Sequence, residues 1–238
     1  MKIEHIIYVE SCFVIFKETT MKIEIWSDPV CVFCYIENHR LRKVLRNLNL
    51  ENSISLEWHS FIVFPQHCHS RRYSSIIKFY KKVLCVCGRK AKLLCNDLDE
   101  IVSSEGLNIC FDKIIPCNTY NSHRLLKMAR QYNLQTELMS ALFDAHFVDG
   151  RDISDVSVLA EIGESVGIPK KDVLEMYEGN DYMVEVRRDM ERARHLKFFH
   201  TPGLFVDGKV SLIGNHYEEY IADLITSTYQ DYCRRCYL

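Results

Sequence analysis

Cys31 and Cys34 stand with only Val32 and Phe33 between them, where two differently patterned stretches meet. Ahead of them Ile23-Glu24-Ile25-Trp26 reads as an apolar strand, and Asp28-Pro29 marks a turn. Behind them Ile36, Leu41, Val44, Leu45 and Leu48 recur near the 3.6-residue period, as in a helix from about Tyr35 to Leu48. Cys31 therefore belongs at a helix N-terminus, with Cys34 one turn inside. Free N–H groups and the macrodipole favour an anion at that end, so Cys31 ionises more readily than a free thiol. The spacing also lets Cys34 attack a mixed disulfide formed at Cys31. A strand–CxxC–helix unit is in outline a dithiol/disulfide exchange site. Two other readings stand beside it: half of a zinc site, or two buried cysteines packing as small hydrophobes.

Further groups invite the same questions. Cys233-Arg234-Arg235-Cys236 is a second CxxC near the end of the sequence. It reads as a frayed tail, as a secondary redox pair whose arginines favour thiolates, or as the other half of a four-cysteine zinc site with Cys31 and Cys34. His67-Cys68-His69 and Cys85-Val86-Cys87 match no structural zinc spacing, and no metal is expected. His123 is expected to be structural, orienting the helical segment it belongs to near the cleft, with a general-base role as the alternative. Trp26 is expected to be core.

The bulk composition bounds the class. The 238 residues are 47% hydrophobic and 26% charged, which argues for a globular chain rather than a disordered one. A formal charge of −2 gives no global attraction to nucleic acid or to an anionic membrane. The 11 cysteines are odd in number and cannot all pair within one chain. Ile6–Val9 and Cys12–Phe16 are divided by Glu10-Ser11, so neither reads as a signal-peptide core, and no later stretch is apolar enough to span a bilayer. The expectation is a soluble, cytoplasmic protein with mostly reduced thiols.

The elements that must hold the cysteines follow in order. Met1-Lys2-Ile3-Glu4 recurs as Met21-Lys22-Ile23-Glu24, and the first strand needs only the second copy, so residues 1–20 read as a peripheral extension. Ile54-Ser55-Leu56-Glu57-Trp58 alternates as a strand that runs on toward Phe64 and stops at Pro65. Strand, helix, strand reads as a right-handed βαβ unit. From His67 to about Leu196 helical patterns dominate, with Ser154 expected to cap one helix and Pro169 in the first turn of the next. From Trp58 through Asn96 there is no Asp or Glu, while Arg71, Arg72, Lys78, Lys81, Lys82, Arg89, Lys90 and Lys92 occur. That stretch reads first as a solvated face, and otherwise as a positive rim for anionic substrates. Gly203-Leu204-Phe205-Val206, a two-residue Asp207-Gly208 turn and Lys209–Ile213 read as a hairpin, followed by a closing helix carrying Tyr217, Tyr220, Ile221, Leu224 and Ile225. One four-stranded sheet accommodates these strands.

These residues resemble the DsbA-like thioredoxin-fold oxidoreductases, in particular the cytosolic FrnE type. The resemblance is carried by Ile25-Trp26-Ser27-Asp28, Cys31-x-x-Cys34-Tyr35-Ile36, Trp58-x-Ser60-Phe61, Glu105-Gly106-Leu107 and Asn118-Thr119, then by Ser122-His123-Arg124-Leu125-Leu126, Gly150-Arg151-Asp152-Ile153 and Thr201-Pro202-Gly203-x-Phe205-Val206-x-Gly208. It runs from about residue 21 to 225. It implies an α/β thioredoxin fold, a central four-stranded mixed sheet with an inserted all-helical domain: residues 1–20 an extension, 21–66 the first half, 67–196 the insertion, 197–238 the second half and tail. It further implies a cis Thr201–Pro202 bond against the active-site pair, with Thr201, Pro202, Val32 and Phe33 meeting the substrate. The chain departs from the family where proline often follows the first cysteine, here Val32, and where a small polar residue often precedes the glycine after the hairpin, here Ile213 before Gly214-Asn215-His216.

The expected activity is thiol–disulfide exchange with protein or small-molecule thiols, Cys31 attacking and Cys34 resolving. It needs no metal or organic cofactor, because the disulfide carries the two electrons, and glutathione is a candidate co-substrate. The alternatives are a glutathione-dependent isomerase or transferase of the kappa-like thioredoxin fold, and a non-catalytic zinc- or protein-binding module. No nucleic acid or membrane partner is expected.

Overall fold

The computed structural model of the protein describes residues 20–64 and 75–236. The peripheral extension, His67-Cys68-His69, Arg71 and Arg72 lie outside the described residues, apart from Thr20.

The sheet is built from β1 (Met21–Ser27), β2 (Ile54–Ser60), β3 (Gly203–Val206) and β4 (Val210–Ile213) in the order β2-β1-β3-β4. β1 and β2 pair parallel from Met21↔Ile54 to Ser27↔Ser60, and the 16-residue helix α1 (Val32–Asn47) makes the crossover between them. β3 lies antiparallel to β1, with Ile25 opposite Leu204, and β4 lies antiparallel to β3. Between β2 and β3 in sequence come α2 (Ile76–Val83), α3 (Gly88–Ser104), α4 (Tyr120–Ala129), α5 (Gln135–Phe147), α6 (Val156–Ser165), α7 (Lys170–Glu178) and α8 (Met183–His195). α9 (Glu218–Cys236) closes the chain and packs on α1. The result is the expected thioredoxin-type mixed sheet with helical content.

β1 is buried almost throughout because helices cover both faces of the sheet. Glu24 and Trp26 face α8: the Trp26 indole N–H donates to the Asp189 carbonyl at 3.1 Å, and Arg192 pairs with Glu24. Ile23 and Ile25 belong to a core that continues through Leu41 and Val44 of α1, Ile221 and Ile225 of α9, and Leu126, Leu138 and Phe143 of α4 and α5. Burying each such side chain contributes about 1.5–3 kcal/mol. The helical segment thus shares a core with the sheet rather than forming a detached lobe.

At the outer edge of β2 helical side chains replace a fifth strand. Gln135 meets the N–H and C=O of Trp58, Lys127 Nζ donates to the Trp58 carbonyl at 3.1 Å, and the Ser60 N–H donates to Asp189 Oδ2 at 2.7 Å.

Local details differ from the sequence reading where two residue types competed. α1 begins at Val32 rather than Tyr35, with Cys31 as its N-cap residue. Asp155, not Ser154, caps α6, its carboxylate accepting from Ser157 and Val158 N–H; the Ser154 hydroxyl is turned back to Asp152. β2 ends at Ser60, after which Phe61 N–H still donates to Ser27 C=O at 3.2 Å. Asp207 and Gly208 take φ of 51° and 67°, and Lys209 N–H donates to Val206 C=O at 3.0 Å, as in the expected turn. The paired positions, however, are Val206 and Val210, so three residues rather than two separate them.

Candidate active site

Cys31 sits at the junction of the turn and α1. Its N–H donates to Asp28 C=O at 2.9 Å, and its own C=O accepts from Cys34 N–H at 3.0 Å and Tyr35 N–H at 3.1 Å. Cys31 is partly exposed, whereas Cys34 is buried. The two thiols are electrostatically unequal. A hydrogen bond from the Cys34 thiol lowers the Cys31 pKa; burial opposes this, Thr201 and the Cys34 backbone N–H assist it, and the Asp28 charge opposes it. Cys34 is pushed well above the ordinary thiol range, first by burial and then by the Cys31 sulfur, with the Ser27 hydroxyl and Asp28 backbone working the other way. An exposed, acidified sulfur beside a buried, protonated one is the polarity that sequential attack requires.

Across the cleft the Thr201–Pro202 bond is cis, and the Thr201 carbonyl lies 4.0 Å from Cys31 Sγ. The Pro202 carbonyl is taken by Gly214 N–H at 2.8 Å, which ties this segment to the end of β4. Of the two residues between the cysteines, Val32 is 4% exposed and packs into the core, whereas Phe33 is 43% exposed. Inside a helix whose first turn leans on the core, the Phe33 side chain points outward and that of Val32 points in. Ile213, also 43% exposed, ends β4 beside the Gly214-Asn215-His216 corner. Asn215 Nδ2 donates to Phe33 C=O at 3.3 Å. Arg40 fixes the corner by donating to Asn215 Oδ1 at 2.5 Å and His216 C=O at 2.6 Å, while pairing with Glu105. His216 N–H donates to Glu37 Oε2 at 3.1 Å; burial raises the Glu37 carboxyl to about 7 even though this bond and the Arg40 charge favour its ionised form.

Behind the cysteines lies a layer that sequence reasoning missed. Asp28 is fully buried; its Oδ2 accepts Val63 N–H at 2.7 Å, and its Oδ1 lies 3.6 Å from His123 Nε2. His123 is fully buried on α4 and meets the turn before Cys31 through the Asp28 carboxylate, a contact that neither residue's motif announced. On the opposite face of β1, Glu24 and His59 join at 3.1 Å and His59 joins Asp189 at 2.9 Å, with Arg192 on Glu24 and Lys127 on Asp189. Glu24, Glu57 and His59 are close enough to hold an ion, but Lys22, Arg130 and Arg192 already neutralise their carboxylates. One signal for this network was available: Glu24 interrupts an otherwise apolar buried strand, and a buried charge needs partners.

The remaining candidates are not brought to Cys31. Lys78, Lys81 and Lys82 are exposed on the outer face of α2, whose inner face carries Ile76, Phe79 and Tyr80. It is the inner face of α2 and not its lysines that turns toward the site: burial holds the Tyr80 hydroxyl neutral, and negative charge on the Cys95 and Cys31 sulfurs acts in the same sense. Cys85 and Cys87 are exposed between α2 and α3. Cys233 and Cys236 occupy the last turns of α9, where Arg235 pairs with Asp207, and Asp207 N–H donates to Lys22 C=O at 2.8 Å. That is the start of β1, whereas Cys31 follows its end, a strand length of roughly 20 Å away. A shared zinc site for the two CxxC pairs is thereby excluded in this arrangement.

Comparison with known proteins places this geometry in context. Residues 22–226 match the family model described as the DSBA-like thioredoxin domain. A probable DsbA oxidoreductase from Streptomyces coelicolor superimposes with a TM-score of 0.81 at 23% identity, over 88% of this chain and 90% of that one. The cytosolic disulfide reductase DsbM from Pseudomonas aeruginosa, solved with GSH, gives 0.60 at 13% identity over 90% and 99%. The uncharacterized protein YwbO from Bacillus subtilis is 21% identical over 176 residues, which are 73% of this chain and 80% of that protein. Among the described residues no helix is long and apolar enough to cross a membrane.

Proposed function

Because the chain belongs to the DSBA-like thioredoxin domain family, we propose that it is a thiol–disulfide oxidoreductase in which Cys31 is the attacking thiolate and Cys34 the resolving thiol. The observation that carries the reading is the unequal pair: Cys31 partly exposed and acidified, Cys34 buried and held protonated. In the reductive direction the Cys31 thiolate attacks a substrate disulfide, forming a Cys31–S–S–R bond and releasing one thiolate. Cys34 then gives up its proton and attacks the Cys31 sulfur, closing the Cys31–Cys34 disulfide and releasing the second thiolate. Two electrons pass from the dithiol to the substrate, and the reverse sequence oxidises a substrate dithiol. No group beyond the cysteines is required. The Thr201 carbonyl faces the reacting sulfur and Phe33 is exposed two residues further along α1, so an extended thiol- or disulfide-bearing peptide is the substrate this reading favours. An odd cysteine count and the cytosolic DsbM as a similar structure support a reducing, cytoplasmic setting.

The pair at Cys233 and Cys236 we read as a separate thiol couple that does not reload Cys31 within one molecule, given its place at the other end of the sheet.

The test is a redox titration in defined glutathione buffers with single-cysteine variants. Cys31→Ser is expected to abolish disulfide exchange. Cys34→Ala is expected to accumulate a mixed disulfide at Cys31, visible as a mass adduct removed by dithiothreitol. Full exchange activity in Cys31→Ser would falsify the assignment, and chemistry that survives Cys34→Ala only when glutathione is present would move the protein to a glutathione-dependent transferase.

A further inference from the structure

We propose that Asp28 and His123 form a positioning pair that sets the charge state of the Cys31 sulfur, the buried imidazole acting through the carboxylate rather than on the sulfur itself. The inference rests on reading Cys31 as the reactive thiol.

Three observations converge on the pair. Asp28 is fully buried, and among the described residues its carboxylate has two backbone N–H groups to lean on: Val63 at 2.7 Å and Val30 at a weak 3.5 Å. A buried carboxylate so thinly satisfied is costly unless a further group faces it. That group is His123, fully buried, with Nε2 at 3.6 Å from Oδ1. Neither ring nitrogen of His123 makes a hydrogen bond among the described residues. An unpaired buried polar atom ordinarily costs about 1–3 kcal/mol, so the imidazole is not there for packing alone. Finally, the Asp28 backbone is part of the redox turn, its C=O accepting the Cys31 N–H at 2.9 Å. The charge of the Asp28 carboxylate acts on the Cys31 thiol.

The signs follow from Coulomb's law. The Asp28 carboxylate opposes a thiolate at Cys31. An N–H of His123 turned toward Oδ1 draws charge from the carboxylate and relieves that opposition. The groups that face Asp28 from the packed elements are Cys31 and Cys34 of the active site, His123 of α4 and His146 of α5. Asp152 faces His146 in turn. Burial pushes His146 down to about 4, so it stays uncharged in the neutral range and brings no positive charge to Asp28. In this step the Cys31 thiol loses its proton to solvent and no covalent bond changes in the pair.

The experiment measures the rate of Cys31 alkylation by iodoacetamide against pH, read on the Cys31 peptide by mass spectrometry, in the full chain and three variants. Asp28→Asn keeps an acceptor for Val63 N–H and is expected to move the Cys31 midpoint down by about one pH unit. His123→Gln is expected to move it up. The double variant is expected to match Asp28→Asn, because the imidazole then has no carboxylate to act through. Shifts of the same sign, a His123→Gln effect that persists when it is combined with Asp28→Asn, or no shift at all overturn the proposal. If Asp28→Asn does not fold, the direction of the His123→Gln shift decides alone: upward supports the pair, downward or unchanged overturns it. The reading of Cys31 as the reactive thiol fails separately, if its midpoint in the unaltered chain is no lower than that of exposed Cys85.

Discussion

Val32 and Phe33 are neighbours in sequence and opposites in consequence. Val32 fills part of the core under the first turn of α1, so Val32→Ala is expected to cost about 1–3 kcal/mol of stability. Phe33 stands outside, so Phe33→Ala is expected to change stability by less than about 0.5 kcal/mol. The order reverses for function: Phe33→Ala should raise KM for a peptide disulfide, while Val32→Ala leaves it close to the original. Urea midpoints and steady-state kinetics on the two variants check this, and equal stability losses would show that Phe33 is not the outward residue. That difference was invisible in the sequence, where both are apolar residues inside a motif. The cysteines themselves were legible, because a strand period, a turn and a helix period meet there within a dozen positions. Asp28 was legible as a turn former and as the end of a family motif, but not as a buried charge behind the cysteines. Its partner His123 is brought to it by the fold alone, and no local pattern announces such a meeting.

β1 and α8 are joined by charge as much as by apolar packing, and that joint has a pH signature. Burial raises the Glu24 carboxyl, but hydrogen bonds from His59 and Arg192 outweigh it and hold the group at about 2, below its ordinary 4.5. A folded-state value below the unfolded one adds stability that is fully present above about 4.5 and is lost as the pH falls toward 2. Asp189 and Glu57 are lowered in the same sense. The urea midpoint is therefore expected to fall steeply between about pH 5 and pH 2, and Glu24→Gln should flatten part of that fall while lowering the midpoint at neutral pH. An unchanged acid profile in Glu24→Gln would place the joint's strength elsewhere. At this scale the sequence was informative about which elements exist, since the helical periods, Gly167 with φ of 103° after α6 and the β3–β4 turn are local signals. It was silent on which helix covers which face of the sheet: Trp26 and Asp189 stand 163 positions apart.

For the molecule as a whole, the shared core predicts shared unfolding. Trp26 lies on the α8 face of the sheet, and Trp58 lies on the other face, its indole N–H donating to Thr136 Oγ1 at 3.0 Å. These are the only two tryptophans in the chain, so fluorescence reports both faces at once. Fluorescence and far-ultraviolet circular dichroism are expected to give coincident transitions in urea. Separate transitions would mean that the α2–α7 helices unfold before the sheet, against the continuity of the core. The side chains along the outer edge of β2 carry one more consequence. A bare outer strand is a template on which a second chain can add its own strand, and it is a common starting point for aggregation. Here Gln135 occupies both the N–H and the C=O of Trp58, and Asp189 occupies the N–H of Ser60. Three of the hooks that an incoming strand would need are thus already filled from within, so this edge of the sheet offers another chain little to grow on.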